Sequence, residues 1–377
     1  MTLAIVHDWL VTAGGGENVL SEVLKAFPGT PVSALIDKMS EDDHERLGIP
    51  HARTTAMQGI PNVEQNYRSW LPLMPAAMRT LDFRAASTVL SISHSVAKAP
   101  RLRDDQKLLC LCLSPMRYAW DLRDQYLRES GLDRGFKGLL AGALLDHMRE
   151  WDKRTSGRVN HYASISKYIA DRVKRAYGRD SDVIYPPVDT EYYTPQPQGS
   201  VRGAPQGHEI TGPYYVTASR FVPYKRVDLI VRAFAGTPER KLVVVGDGPD
   251  SAKVRAAASG VRNVIFTGQL DRNFLRAWVR GARAFMFAAE EDFGIAPVEA
   301  QACGVPVIAY GKGGALETIV DRATGLFFAE QTVESIRDAV SRFEAATFSP
   351  DACRANAERF SAERFRAALT DWVNAKA

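Results

Sequence analysis

Short apolar runs in this chain end in glycine-rich or polar turns that open onto helical patterns, and the unit recurs through both halves. The first example is at the start: Leu3 to Val6, then Gly14-Gly15-Gly16, then a helical pattern over residues 17–27. Strand, glycine loop and helix in that order form the first unit of a doubly wound sheet. Further strands are expected at residues 32–36, 88–92, 108–113, 162–166 and 183–185. An amphipathic helix is expected over 135–154, with Phe136, Leu139, Leu140, Ala143, Leu144, Met148 and Trp151 on one side, and a basic helix over 169–177. The second half repeats the alternation, with strands at 214–218, 242–245, 264–266, 284–287 and 307–309 and helices at 227–234, 250–258, 272–281 and 297–303. Alternating strands and helices imply α/β architecture with parallel sheets covered by helices on both faces.

A chain of 377 residues holds about two domains. The texture changes at residues 186–213, where Pro186, Pro187, Pro195, Pro197, Pro205 and Pro213 alternate with polar residues. We read this stretch as a linker. It separates an N-terminal Rossmann-like domain, residues 1–185, from a C-terminal one, residues 214–349. Residues 350–377 read as helices that return to brace the first domain. Two such domains leave a cleft between them, and ligands bind at the carboxyl ends of the strands.

Composition narrows the class. Apolar residues make up 45% and charged residues 24%, which excludes a disordered chain, a collagen-like fibre and a small disulfide scaffold. Apolar stretches such as 139–145 fall short of the ~20 residues of a membrane span. The opening MTLAIVHDWL has neither a basic n-region nor a small-residue cleavage site, so no secretory signal is expected. Cys110, Cys112, Cys303 and Cys353 form no CxxC pair and read as buried thiols of a cytoplasmic protein. A net charge of +4 is too small to imply nucleic-acid binding. Residues 101–179 nevertheless carry 17 basic and 10 acidic residues, an excess that suits anionic lipid, a phosphorylated substrate or a solvated surface.

Four strings carry chemistry, each following a strand of the second half. In Glu291-Asp-Phe293-Gly294-Ile295-Ala-Pro-Val-Glu299, the Phe-Gly turn aims backbone N–H groups at an oxyanion from a helix start. Glu299 lies about two turns into that helix, where it can accept from a diol such as ribose. In Ser219-Arg220-Phe-Val-Pro-Tyr-Lys225-Arg226, Arg220 and Lys225 are suited to a diphosphate, the first as a bidentate fork and the second as a point charge. Gly246-Asp-Gly248-Pro249 is a turn where the backbone bends sharply or passes close to a ligand. Gly311-Lys-Gly-Gly314 with Glu317 is the fourth.

Taken in order, SRFVPYKRVD, VVVGDGP, EEDFGIAPVEAQACGVPVIAYGKGG and LET resemble the nucleotide-sugar-binding domain of the retaining glycosyltransferases of family 4. The strings DWL, GGGENVL, YRSWLPLMP, VLSISHSVAK and SPMRYAWDL of the first half resemble bacterial mannosyltransferases of O-antigen and exopolysaccharide assembly. The resemblance implies the GT-B fold, two facing Rossmann-like domains with the active site in the interdomain cleft. It implies that Arg220 and Lys225 bind the donor diphosphate and stabilise the departing nucleotide. Glu291, with the Phe293-Gly294 backbone, would hold the transferred sugar, and Glu299 the ribose. Gly15 and Gly16 would let their loop approach the diphosphate or the acceptor. The acceptor hydroxyl would attack from the face the phosphate leaves, with retention of configuration. No metal and no other cofactor is expected, because cations and helix N-termini stabilise the phosphate charge.

The chain departs from the family at one point. Where relatives carry a histidine that contacts the transferred sugar, the string here is Cys110-Leu-Cys-Leu113-Ser-Pro115. His94, at the end of the preceding strand, is the nearby substitute. A leucine at 113 suits a methyl group in place of a 6-hydroxyl; as the resemblance implies GDP-mannose, the expected donors are GDP-mannose and GDP-linked 6-deoxy sugars. The expected acceptor is a lipid-linked oligosaccharide, with the protein peripheral on the inner face of the cytoplasmic membrane. Two other readings stand beside this one: a nucleotide-sugar epimerase on the same fold, and a non-catalytic nucleotide-sugar-binding partner of a synthesis complex.

Overall fold

The computed structural model describes residues 2–121, 123, 127, 128, 134–196, 210 and 212–377. The chain forms two compact units, the first comprising Met1–Pro187 with Glu363–Ala377 and the second Val188–Ala362.

Unit 1 is built on a parallel sheet of six strands: β1 (Leu3–His7), β2 (Val32–Ala34), β3 (Thr88–Ser93), β4 (Lys107–Cys112), β5 (His161–Ser164) and β6 (Asp182–Val183). Their spatial order is β2-β1-β3-β4-β5-β6. The chain moves outward from β1 to β2, then reverses to place β3 on the other side of β1. Every residue of β3 is buried, as expected of a strand covered on both faces.

Unit 2 repeats the plan with β7 (Tyr214–Ala218), β8 (Lys241–Val245), β9 (Val264–Gly268), β10 (Phe285–Phe287), β11 (Val307–Tyr310) and β12 (Gly325–Phe328). The order is β12-β11-β10-β7-β8-β9, again all parallel. The reversal here falls between β7 and β10. Helix Val227–Ala235 buries Val227, Leu229, Ile230, Val231, Ala233 and Phe234, and Tyr215, Leu242, Val244 and Phe343 belong to the same core. Each large apolar side chain buried this way contributes ~1.5–3 kcal/mol. β12 and the helix Val333–Glu344 lie in a region where the sequence reading placed no element. β12 is only four residues long, and Phe327 alternates with buried neighbours too briefly to announce a strand.

Three expectations change with the tertiary structure. The proline-rich stretch 186–213 does not begin as a solvated linker. Val188 and Tyr193 are buried, Val188 N–H donates to the Phe360 carbonyl (2.9 Å), and Arg354 Nη1 donates to the carbonyls of Thr190 and Tyr193 (2.7 Å each). Tyrosine packing and arginine donors dock this piece on unit 2 despite its prolines. Residues 197–209 and 211 of the stretch lie outside the described residues. The segment 350–377 divides into Pro350–Glu358, which belongs to unit 2, and Ala362–Lys376, most of which belongs to unit 1. In unit 1, Trp372 Nε1 donates to Asp182 Oδ2 (2.8 Å), and Arg366 pairs with Glu22.

The helix Gly135–Ser156 keeps only Met148 of its expected apolar face fully buried and turns the N-terminal part of that face outward. Gly138, Gly142, Leu145, Met148 and Asp152 face inward, while Phe136, Leu139 and Leu140 are 81%, 75% and 65% exposed. Asp152 anchors the inward side. It is wholly buried, takes an ion pair from Lys98 (2.5 Å), and accepts from Trp120 Nε1 (2.9 Å) and the Tyr177 hydroxyl (2.7 Å). Separating that buried pair leaves an uncompensated charge at a cost of ~3–5 kcal/mol, of the same order as leaving Phe136, Leu139 and Leu140 exposed. No described helix is long and apolar enough to cross a membrane.

Candidate functional site

In an open α/β sheet, a crevice forms at the carboxyl ends of the strands where the strand order reverses. In unit 2 that position lies between β7 and β10, and the loops that follow these two strands carry the basic and acidic strings. After β7 the chain makes a short 3₁₀ turn, Pro223–Lys225, and Arg226 adopts a left-handed conformation (φ 52°) before the helix Val227–Ala235. After β10 it runs through Glu291 to Phe293 and Gly294. Lys225 Nζ forms an ion pair with Glu291 Oε1, both side chains being largely buried. Arg220, on the same loop as Lys225, is exposed.

Glycines brace these two loops. A Cβ on Gly246 would collide with the Ser219 carbonyl, and one on Gly248 with the Phe221 backbone. Phe221 N–H donates to the Asp247 carbonyl (2.9 Å), so the Gly246–Pro249 turn lies directly against the Arg220 loop. Gly246 and Gly248 thus face protein backbone. Gly313 and Gly314 stand in the same relation to Glu291 and Phe293, and Gly314 N–H donates to the Glu291 carbonyl (2.8 Å). Gly294 has φ 89°, a conformation that favours glycine, and caps the helix Ile295–Ala302. Phe293 is buried with its ring edge-on to Phe360 (centroids 5.3 Å apart). The first N–H groups of the helix, from Ile295 onward, carry the partial positive charge of a helix start.

Glu299 lies within that helix. Burial pushes its carboxyl up to about 7, against the opposing pull of the Arg272 guanidinium and the Tyr193 hydroxyl. Burial also raises Tyr193 above its ordinary value. Arg272 is held in turn by Asp189 (3.0 Å) and by the face of Tyr192 (4.3 Å). The sequence reading missed Tyr193, Arg272 and Asp189. Two of them sit in the stretch read as a linker, and the third sits in a helix whose pattern gives no sign of function.

Unit 1 holds the other expected residues, again at a strand-order reversal. After β1 the chain reaches Gly14, the N-cap of the helix Gly15–Ala26, so Gly15 and Gly16 form the first turn of that helix and not the expected loop; Gly14 N–H donates to Glu17 Oε2 (2.9 Å). A Cβ on Gly16 would lie 3.4 Å from Leu113 Cδ1 and 3.6 Å from His7 Cε1, so Gly16, Leu113 and His7 are neighbours. His7 is wholly buried, its Nδ1–H donates to the Ile92 carbonyl (3.0 Å), and burial lowers its pKa.

His94 follows β3. Its Nδ1 is 3.1 Å from Asp8 Oδ2, and its ring meets Trp9 edge-on (4.7 Å). Burial lowers its pKa below the ordinary histidine value; Asp8 opposes this, while Arg117, Lys98 and Arg68 add to it. The Asp8 contact keeps the proton of the neutral ring on Nδ1 and leaves Nε2 as an acceptor. Asp8 was also missed. It is wholly buried and accepts from the backbone N–H groups of His94 (2.7 Å), Ser95 (3.0 Å), Val96 (2.6 Å) and Ala97 (2.6 Å). The signal for it is a charged residue placed immediately after an apolar strand.

One Asp-x-Asp string is present, Asp180-Ser181-Asp182. Asp180 is taken by Lys174 (2.7 Å) and Asp182 by Trp372 (2.8 Å).

Two doubly wound sheets, with loops suited to a diphosphate at the reversal point of the second, define an α/β fold of two Rossmann-like units. Solved structures share it over the full chain. The lipopolysaccharide outer core galactosyltransferase WaaB, in its apo form, superposes with a TM-score of 0.67 at 16% identity, covering 100% of both chains. Anabaena Alr3699/HepE in complex with UDP and glucose gives 0.67 at 16% identity, covering 99% of both. Residues 204–360 match the family model described as glycosyl transferases group 1. A GDP-mannose-dependent alpha-(1-6)-phosphatidylinositol monomannoside mannosyltransferase of Mycolicibacterium smegmatis is 32% identical over 193 residues, 47% of this chain and 50% of that protein. A D-inositol 3-phosphate glycosyltransferase of Mycobacteroides abscessus is 30% identical over 188 residues, 46% of this chain and 42% of that protein. The chain thus spans about half the length of the curated relatives it matches.

Proposed function

We propose that this protein is a retaining glycosyltransferase that moves a hexose of the mannose or 6-deoxy-mannose type from a GDP-linked donor to a lipid-linked glycan acceptor. The observation that carries the reading is the Lys225–Glu291 pair at the β7/β10 reversal, on loops braced by glycines against their neighbours. A cation and a carboxylate held together there suit the two ends of the bond that breaks. Arg220 and Lys225 take the diphosphate, and Glu291 with the Phe293-Gly294-Ile295 backbone orients the sugar. The match of residues 204–360 to the glycosyl transferases group 1 model supports the transferase class. The GDP-mannose-dependent relatives with phosphatidylinositol mannoside acceptors support the donor and the acceptor type.

Chemistry in this reading is charge stabilisation. The leaving phosphate gains negative charge as the glycosidic bond breaks, and positioned cations lower that barrier by ~3 kcal/mol each. The phosphate oxygen takes the proton of the attacking hydroxyl on the same face, which retains configuration. Metal takes no part in this step, so turnover survives a chelator. The protein works at a membrane surface, through the exposed apolar face of the helix Gly135–Ser156.

The test is turnover of GDP-mannose and GDP-6-deoxy sugars with and without a membrane extract. Transfer of sugar to extract lipid, with nucleotide release dependent on the extract, supports the reading. Isomerised nucleotide sugar without any acceptor identifies an epimerase instead, and donor binding without turnover in either condition identifies a binding partner.

A further inference from the structure

Three consecutive pieces of unit 1, within residues 37–51, bring Asp37, His44 and His51 together. Asp37 lies in the loop after β2, His44 in the helix Glu41–Leu47, and His51 in the extended stretch beyond it. One ligating atom from each lies within 4.8 Å of the other two. Asp37 is held in place by its surroundings: Ala52 N–H donates to Asp37 Oδ2 (2.8 Å), and the Gln58 side chain bonds both the N–H and the carbonyl of Asp37 (2.8 and 2.7 Å).

The histidines are oriented as well. His44 is buried, and its Nδ1 lies 2.8 Å from the Ile49 carbonyl. A carbonyl only accepts, so Nδ1 carries the proton. Nε2 then faces Asp37 Oδ1 at 3.0 Å, where a neutral ring would set a lone pair against a carboxylate oxygen. Only an extra proton or a cation relieves that. The His51 ring lies against His44 (centroids 4.4 Å apart), with Nδ1 3.9 Å from Asp37 Oδ2 and Nε2 3.3 Å from Glu41 Oε2. A ring nitrogen donating to a carbonyl while the other faces a shared point is the usual posture of a metal-binding histidine.

We propose that Asp37, His44 and His51 bind a divalent transition metal of the zinc class, which clips the loop after β2 to the following helix and extended stretch. Two imidazoles and one carboxylate suit zinc, whereas calcium and magnesium favour all-oxygen sets. Ligands of a tetrahedral zinc lie ~3.3 Å apart, so a small inward movement of the exposed His51 side chain closes the set. Water or Glu41 completes it. The site is structural and independent of the glycosyl-transfer reading.

The experiment is calorimetric titration of zinc chloride into chelator-treated full-length protein, wild type and His51→Ala, with parallel thermal melts. His51 is 67% exposed at the side chain, so its replacement leaves the metal-free melting temperature near wild type. Wild type binds one zinc and melts higher with it, as a ligand of the folded state requires. His51→Ala binds at least roughly tenfold more weakly and loses the melting shift. Cobalt(II) in wild type gives the visible bands of a tetrahedral site, which zinc abolishes. Absence of zinc binding overturns the proposal. Equal affinity in the two proteins overturns it too, by locating the metal elsewhere.

Discussion

Lys225 and Glu291, far apart in the chain, form an ion pair between the loop after β7 and the loop after β10, where the strand order of the second sheet reverses. In the proposed reaction Lys225 faces phosphate charge that grows in the transition state. Lys225→Ala and Arg220→Ala should each lower kcat by roughly a hundredfold, the effect of removing one transition-state contact of about 3 kcal/mol. Melting temperature should hardly move in Arg220→Ala, whose side chain is exposed, and should fall by a few degrees in Lys225→Ala, which leaves Glu291 without its partner while the protein stays folded. Near-normal rates in both variants would take these residues out of the mechanism.

Glu299 predicts a pH dependence of nucleotide binding. Its pKa is raised from 4.5 to about 7, chiefly by burial. Between those values the folded chain keeps a proton that the unfolded chain has released. The resulting contribution to stability is complete below about 4.5 and is lost as pH rises through about 7. A ribose diol donates hydrogen bonds to the ionised carboxylate, so nucleotide binding expels the proton. GDP affinity should therefore increase as pH rises toward about 7 and then level off, and Glu299→Gln should bind more weakly with a flat profile. Calorimetry in buffers of different ionisation enthalpy measures the proton directly; no proton release in wild type would rule out the ribose role.

Asp8 positions His94 through the turn it caps. Asp8→Ala leaves four backbone N–H groups without their buried acceptor and should cost about 3 kcal/mol or more in urea unfolding. His94→Ala should keep the fold and lose turnover. The lowered pKa of His94 sets the sign of a second effect. Its contribution to stability is present above the ordinary value of 6.5 and is lost as pH falls through the lower folded value. Urea midpoints on either side of 6.5 should differ less in His94→Ala than in wild type. An unchanged difference would show that His94 is not the group that titrates.

Leu113 bears on the donor. It is buried beside Gly16, and a leucine there neither donates to nor accepts from a sugar hydroxyl. Wild type should have a higher kcat/KM for GDP-rhamnose than for GDP-mannose, and Leu113→His should move the ratio toward mannose by roughly tenfold, about one hydrogen bond. A wild-type preference for GDP-mannose that the histidine leaves unchanged would end the 6-deoxy assignment.

The outward face of the helix Gly135–Ser156 bears on membrane contact. Phe136, Leu139 and Leu140 are exposed, with Lys137, Arg149, Lys153 and Arg154 on the same helix. Basic residues near an anionic surface contribute about 1 kcal/mol each, and the apolar residues add burial in the interface. The protein should float with anionic liposomes at low salt, and replacing Phe136, Leu139 and Leu140 together by serine should abolish flotation while leaving the melt unchanged. Wild type that stays with the soluble fraction would refute this.

The alternation of apolar runs with helical patterns is local, so the chain order of strands and helices was legible without a structure. So were the loops carrying Arg220, Lys225, Glu291 and Gly294, because such loops follow strands in every doubly wound sheet. The outward turn of the helix Gly135–Ser156 was not legible. A helical pattern identifies an apolar face but not which face packs, and here the side that carries Asp152, paired with Lys98, packs inward.

Sequence alone determined the two-sheet α/β plan and the positions of the glycine turns, because strand and helix periodicity and the backbone freedom of glycine are properties of short segments. Tertiary structure decided which distant residues meet. Strand-order reversal pairs Lys225 with Glu291, a turn between strands puts His94 over Asp8, and the packing of the tyrosine stretch brings Tyr193 toward Glu299. These meetings depend on crossovers and long-range packing, whose free energy is shared among many residues and leaves no mark on any one local pattern.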